Sequence, residues 1–173
     1  MEAPSESNGR LTAFGNQLIA IHLWLREELA RLRADVDSHL AGSSERPRGL
    51  QAHCLAFCSA LSRHHSAEDD GAFPVLAEQF PQLRPTISEL RRDHHLVAGI
   101  LRSLQGLLDG LVVGCGPAEA LRVRTELDSL AALLESHFVY EEKKLVAALN
   151  SLGAQAGTTE GLLGTGADGD VLL

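Results

Sequence analysis

Four stretches of this sequence place apolar residues at every third or fourth position, and glycine or proline interrupts the chain between them. A helix turns about 100° per residue, so that spacing gathers the apolar side chains on one helical face. The first predicted helix covers residues 12–40 and carries Leu18, Ile19, Leu25, Leu29 and Leu32, before AGSSERPRG breaks it. The second covers residues 50–69 and is stopped by Gly71 and Pro74, with a short helical turn over 75–79. The third spans residues 85–112, with Ile87, Leu90, Val97, Leu101, Leu104 and Leu108 on its stripe, and gives way at GCGP to a fourth over 117–149.

Aromatic residues make up only 4% of the chain, strand-favouring residues are few, and Leu, Ala, Glu and Arg are abundant, so no sheet is expected. With 173 residues, 45% of them hydrophobic, the chain suffices for one domain with a core of its own. Four amphipathic helices on short connections bury their stripes most economically as an all-α, antiparallel up-down-up-down four-helix bundle. The expected organisation is a flexible N-terminus over 1–11, the bundle over 12–150, and a disordered C-terminal tail over 151–173, where Gly, Ala, Thr and acidic residues replace the apolar period.

The net charge of −8, with Lys and Arg scattered rather than gathered into a stripe, argues against nucleic acid as a partner. No stretch reaches the roughly 18 uninterrupted apolar residues of a membrane span, and MEAPSESNGR lacks the apolar core of a secretory signal. Cys54, Cys58 and Cys115 are odd in number and form no Cys-x-x-Cys pair, which fits a reducing compartment better than a disulfide framework. A cytoplasmic protein is the expectation.

Seven of the eight histidines stand out within the apolar-periodic segments, and only His39, at the end of the first, reads as an ordinary surface histidine. Residues four apart on a helix lie only about 40° apart in projection and can reach one ion together. His64 with Glu68 and His137 with Glu141 are His-x-x-x-Glu pairs of that kind, on the faces of Phe57 and Leu61 and of Leu130 and Leu134. His22 lies on the stripe of the first helix and His94 on that of the third, so every helix offers an inward imidazole. His95 and Glu142 are rotated about 100° from His94 and Glu141, toward the helix edge. In the second helix the apolar stripe lies between His64 and His65, so the spacing leaves His65 with Asp69 as an alternative pair.

Four imidazoles and two carboxylates in an apolar interior are costly unless they are paired, and metal ions remove that cost. Imidazole and carboxylate ligands suit iron, zinc, copper or nickel, whereas a structural zinc site would recruit thiolates. Six ligands exceed one tetrahedral ion and match two ions that share carboxylates. Two oxo- or hydroxo-bridged non-haem iron ions are the simplest such pair.

The order of His22, HHSAED with FP shortly after, Asp93-His94 and HFVYEE resembles the hemerythrin-like HHE cation-binding family, in particular its bacterial, actinobacterial-looking members. The resemblance covers nearly the whole helical region. It implies a hemerythrin-like bundle whose metal ligands are His22, His64, Glu68, His94, His137 and Glu141, and it favours His64 over His65. Oxygen-carrying relatives have a second histidine one turn later on the third helix, where this chain has Ala98. The missing imidazole weakens the expectation of reversible oxygen carriage and points to redox turnover, with peroxide or nitric oxide removal as the expected activity. A small diatomic or peroxide ligand and an electron donor are the expected partners. The rival reading is a non-catalytic iron or oxygen sensor, or a storage module, acting through a protein partner.

Among the remaining residues, His53 precedes His64 by eleven positions, about 16 Å along the axis, too far to share a centre with it. Tyr140, the single tyrosine, adjoins Glu141 and is a candidate donor or redox relay beside its alternative role in packing. Asp93, next to His94, is a candidate to orient an imidazole beside its alternative reading as a solvated surface carboxylate. Cys54, Cys58 and Trp24 are expected to pack the bundle. A ferritin-like oxidase is disfavoured because its Glu-x-x-His spacing does not occur.

Overall fold

The computed structural model describes residues 13–41, 47–110 and 116–164, and these residues are helical with no strand. Four long helices carry the fold: α1 (Phe14–Leu40), α2 (Pro47–Ala67), α4 (Arg84–Gly110) and α5 (Pro117–Ser151). Short α3 (Phe73–Gln79) extends α2, and α6 (Thr159–Leu163) follows α5. Gly116 caps α5 in an extended conformation, and Pro117 occupies its first turn, where a missing N–H has no helical partner to lose. The expected flexible segment over 1–11, and Cys115, lie outside the described residues.

Each long helix packs against two others, α1 on α2 and α5, and α4 on α2 and α5. Polar pairs across the seams fix their relative course. Arg26 reaches Glu135 at 2.8 Å and Arg33 reaches Asp128 at 2.8 Å, while Arg124 near the start of α5 meets Asp37 near the end of α1 at 2.7 Å. Gln51 donates to the Leu108 carbonyl at 3.1 Å, and Tyr140 donates to Glu89 at 2.5 Å. Arg26 and Glu135 meet at the middle of their helices, and in the other pairs residues early in one helix face residues late in the other.

Two departures from the sequence expectation shape the site. Gly71 and Pro74 do not stop the second helix; it continues through a π-helical turn over Glu68–Ala72, in which the Phe73 N–H bonds to the Glu68 carbonyl five residues back. In a regular α-helix the Pro74 ring would press on the carbonyl of Asp70, and widening the turn relieves that clash. The Asp69 carbonyl, which Pro74 has no N–H to satisfy, accepts instead from Arg91 at 2.9 Å.

The second departure corrects the disordered tail expected from residue 151 onward, since the chain is folded as far as Gly164. A 3-10 turn over Ala154–Ala156 leads into α6, and Leu152, Leu162 and Leu163 are buried. This segment folds as a compact turn and not as a long helix, so its few apolar residues carry no period to read. Of the expected stripe residues, Leu18, Leu32, Leu61, Leu90, Leu104 and Leu130 are fully buried across the four long helices and are joined by Leu127, whereas Ile19 is only half-buried. Among the described residues no helix is long and apolar enough to cross a membrane.

Leu127 lies in the half of α5 away from the histidines and has no exposed surface. Leu127→Ala is therefore expected to cost about 2–5 kcal/mol in denaturant unfolding of the metal-free protein, with little effect on metal content.

Candidate metal centre

Burial singles out one region of the interior as polar. His22, His64, His65, Glu68, His94, His137 and Glu141 are all buried, in a core dominated by leucine with phenylalanine, isoleucine, valine and alanine. Their donor atoms form two groups whose members lie within 4.8 Å of one another: His22, His64, Glu68 and Glu141 in one, His65, His94 and His137 in the other. The carboxylates approach both groups. Glu68 lies 3.2 Å from His64 Nε2 and 3.4 Å from His94 Nε2, and Glu141 lies 3.3 Å from His22 Nε2 and 3.6 Å from His137 Nε2.

The outer nitrogens of four of these rings are held. His22 Nδ1 donates to Glu142 at 2.9 Å, His94 Nδ1 to Asp69 at 2.9 Å, His137 Nδ1 to Asp93 at 3.3 Å, and His64 Nδ1 to the backbone carbonyl of Leu163 at 2.7 Å. A proton on Nδ1 leaves the Nε2 lone pair directed inward, the arrangement a cation requires. Aromatic faces add rigidity: Phe138 stacks on His22 and His65 stacks on His94, each pair with ring centroids 3.9 Å apart.

The inward atoms lack partners of their own. Nε2 of His65, His94 and His137 and both oxygens of Glu68 and Glu141 make no hydrogen bond. His22 Nε2 and His64 Nε2 face each other at 3.2 Å, a pairing that needs a proton on one of them; once that proton is displaced, with Nδ1 protonated on both rings, two lone pairs oppose each other there. Buried polar atoms without partners cost free energy, and a cation between them converts that cost into coordination. The residues therefore fit metal ions.

All six ligands expected from the sequence meet in this region. His65, weighed in the sequence only as an alternative to His64, lies there as well. The two rings face different neighbours: His64 turns toward His22 on α1, and His65 toward His94 and His137 on α4 and α5. The signal that could have found both was the breadth of the α2 stripe, which lies between them. Ala98 brings no imidazole. It lines a cavity of about 180 Å³ between α2 and α4, together with Ser62, His65, Ser66, Asp69 and His94.

Other candidates take different places. Tyr140 does not face the cluster, because its hydroxyl points to Glu89 on α4. Asp93 orients His137 rather than the adjacent His94, and Asp69 serves His94 rather than acting with His65 as a ligand pair. Glu142, which the helical projection turned toward the helix edge, is half-buried and bridges His22 and Arg26, the latter at 3.0 Å. His53 bonds Asp35 at 2.7 Å and Glu28 at 3.2 Å, joining α1 to α2 at a distance from the centre. Cys54 is buried, Cys58 is half-buried, and both are free thiols.

Residues 15–149 match the Hemerythrin HHE cation binding domain family. The chain belongs to that family. No curated protein and no solved structure matches it. The hemerythrin domain thus accounts for the four long helices and for every residue of the buried cluster, whereas α6 lies beyond the matched span.

Protonation in the metal-free hemerythrin domain follows from burial and neighbours. Burial, with the charge on His22 second, depresses His64 to about 3; burial and the charges on His94 and His64 hold His65 well below its ordinary value. Burial followed by the charges of Glu141 and Asp69 lifts Glu68 well above the carboxylate range. Burial opposes the charge on Glu141 too, yet the close approach of His22 at 3.3 Å and the charge on His137 outweigh it and bring Glu141 to about 2. Burial pulls His22 down, but the nearby Glu141 carboxylate and the bond to Glu142 overcome it and leave His22 raised.

Burial and neighbours thus favour the neutral forms of His64 and His65 and the protonated forms of Glu68 and His22, whose protons a metal ion must displace. Cation uptake should release protons and tighten as pH rises toward and through neutrality. Calorimetric titration of the metal-free protein in buffers of different ionisation enthalpy measures that release. Uptake independent of pH would contradict the assignment.

Proposed function

We propose that this hemerythrin-domain protein holds two non-haem iron ions and acts on a small ligand (O2, peroxide or NO), with peroxide or nitric oxide removal as its activity. The observation that carries the reading is the double set of buried donors sharing two carboxylates. His22 and His64 would hold one ion, His65, His94 and His137 the other, and Glu68 and Glu141 would bridge them. The four long helices are read as an antiparallel up-down-up-down bundle, since every seam pairs early residues with late ones. Five imidazoles and two carboxylates, with no thiolate, are a donor set suited to iron.

Bound iron would supply reversible change between ferrous and ferric states. The chain's own residues set the conditions for it. Asp69, Asp93 and Glu142 fix three imidazoles and raise their basicity. The leucine and phenylalanine core excludes bulk water. The cavity at Ala98 gives His65 and His94 a neighbour space that is small and partly polar, sized for a few atoms.

Metal analysis of aerobically purified protein should find about two irons per chain, with near-ultraviolet and visible oxo-bridge bands that respond to peroxide or nitric oxide. His65→Ala should lower the iron content toward one per chain, whereas His95→Ala, whose ring bonds the Arg91 carbonyl on the exposed face of α4, should not. Zinc alone, or no iron after ferrous reconstitution, would overturn the reading. Iron retained without turnover of peroxide or nitric oxide would favour the sensor or storage function instead.

A further inference from the structure

His64 is oriented differently from the other bonded imidazoles of the cluster. Glu142, Asp69 and Asp93 are side chains within the span matched by the hemerythrin domain, but the acceptor for His64 Nδ1 is a main-chain carbonyl, that of Leu163, 2.7 Å away and 99 residues later. The segment that carries this carbonyl is built to sit where it does. Thr158 caps α6 by accepting from the Gly161 N–H at 3.0 Å, and Gly164 ends it at φ +79°, a left-handed conformation that suits glycine. Leu162 and Leu163 are 3% and 0% exposed.

Two glycines make the close approach possible. A Cβ on Gly71, in the π-helical turn, would collide with the Gly161 carbonyl. A Cβ on Gly164 would come within 2.5 Å of the Arg63 carbonyl and 2.9 Å of the His64 Cα. The chain therefore omits side chains on both surfaces where the segment meets α2 and its π-helical extension. The Gln17 side chain on α1 accepts a hydrogen bond from Thr159, so α6 touches the two helices that supply His22 and His64.

From this geometry we propose that the segment Thr158–Gly164 is a mount for the metal centre: docked, its Leu163 carbonyl fixes the tautomer and ring orientation of His64 and so sets the affinity of the ion held by His22 and His64. The proposal rests on the two-ion reading above. Leu163 is a positioning residue acting through its backbone, and a carbonyl cannot be removed by a side-chain substitution. The docking of the segment can be disturbed from either side, however. Gly71→Ala presses on Gly161 from below, and Gly164→Ala forces the turn that follows Leu163 away from Arg63. Gly71→Ala touches no ligand, and Gly164→Ala meets the backbone of Arg63 and His64 but not the His64 ring.

The test uses the full chain and two readouts. In metal-free protein labelled with 15N-histidine, the His64 Nδ1 proton should give a solvent-protected resonance in nuclear magnetic resonance spectra, and both variants should lose it while keeping wild-type helicity. In chelator competition with ferrous ion, both variants should bind one of the two ions about 10–100-fold more weakly and the other unchanged, the range expected when a partner that orients a metal-ligating histidine is lost. Absence of the protected resonance in the wild type overturns the proposal, as does retention of both ions at wild-type affinity in the variants. Weakened binding with the resonance intact also overturns it, because the effect would then run through another contact. The resonance is read without metal, so failure of the two-ion reading itself would appear separately, as wild-type protein that takes up no second ion.

Discussion

The structure is organised around a burial that would be unfavourable by itself. Two carboxylates and five imidazoles converge in a leucine core, and the carboxylates are driven apart in protonation, Glu68 well above and Glu141 well below its ordinary range. That split is what like charges in a shared low-dielectric site impose, since both cannot ionise freely without a cation. The surrounding features reduce the same cost. Asp69, Asp93, Glu142 and the Leu163 carbonyl occupy the outer nitrogens, so that each of these rings has its Nε2 free for the centre. The helical scaffold is therefore inseparable from the cluster it encloses.

Much of this was legible in the sequence because helical geometry is simple. The stripe positions of His22 and His94, and the four-residue spacing of His64 with Glu68 and His137 with Glu141, follow from 3.6 residues per turn with no tertiary information. The same rule removed His95, whose ring bonds the Arg91 carbonyl on the exposed side of α4. What periodicity does not encode is contact between helices. That Asp93 serves His137 across the α4–α5 seam, or that Tyr140 turns to Glu89, depends on how neighbouring helices are rotated and offset. The tail was misread for a related reason: Leu152, Leu162 and Leu163 are buried by a turn, and a turn has no period.

His64 and His65 show where a one-face picture of a helix stops being adequate. Adjacent residues point about 100° apart, so treating α2 as having a single buried face forces a choice between them. In a ring of four helices, α2 has two neighbours, α1 and α4, and therefore two buried flanks. One imidazole can serve each. His64 joins the group with His22, and His65 joins the group with His94 and His137, so consecutive residues reach both halves of the cluster. The count of imidazoles is then five even though Ala98 contributes none. The space beside Ala98 remains as a cavity.

The π-helical turn links this arrangement to the segment beyond the family match. A regular α-helix through Pro74 would press the proline ring on the Asp70 carbonyl; the wider turn avoids this immediately after Glu68 and leaves the Asp69 carbonyl to Arg91. It also brings Gly71 against the Gly161 carbonyl, where only a residue without a side chain fits. A stretch that reads as a helix stop in the sequence is thus a point where three requirements coincide: a buried carboxylate between the two donor groups, accommodation of a proline, and a landing place for α6. Filling Gly71 with a methyl group leaves the first two intact and removes the third, which is why that position separates the role of the C-terminal segment from that of the bundle.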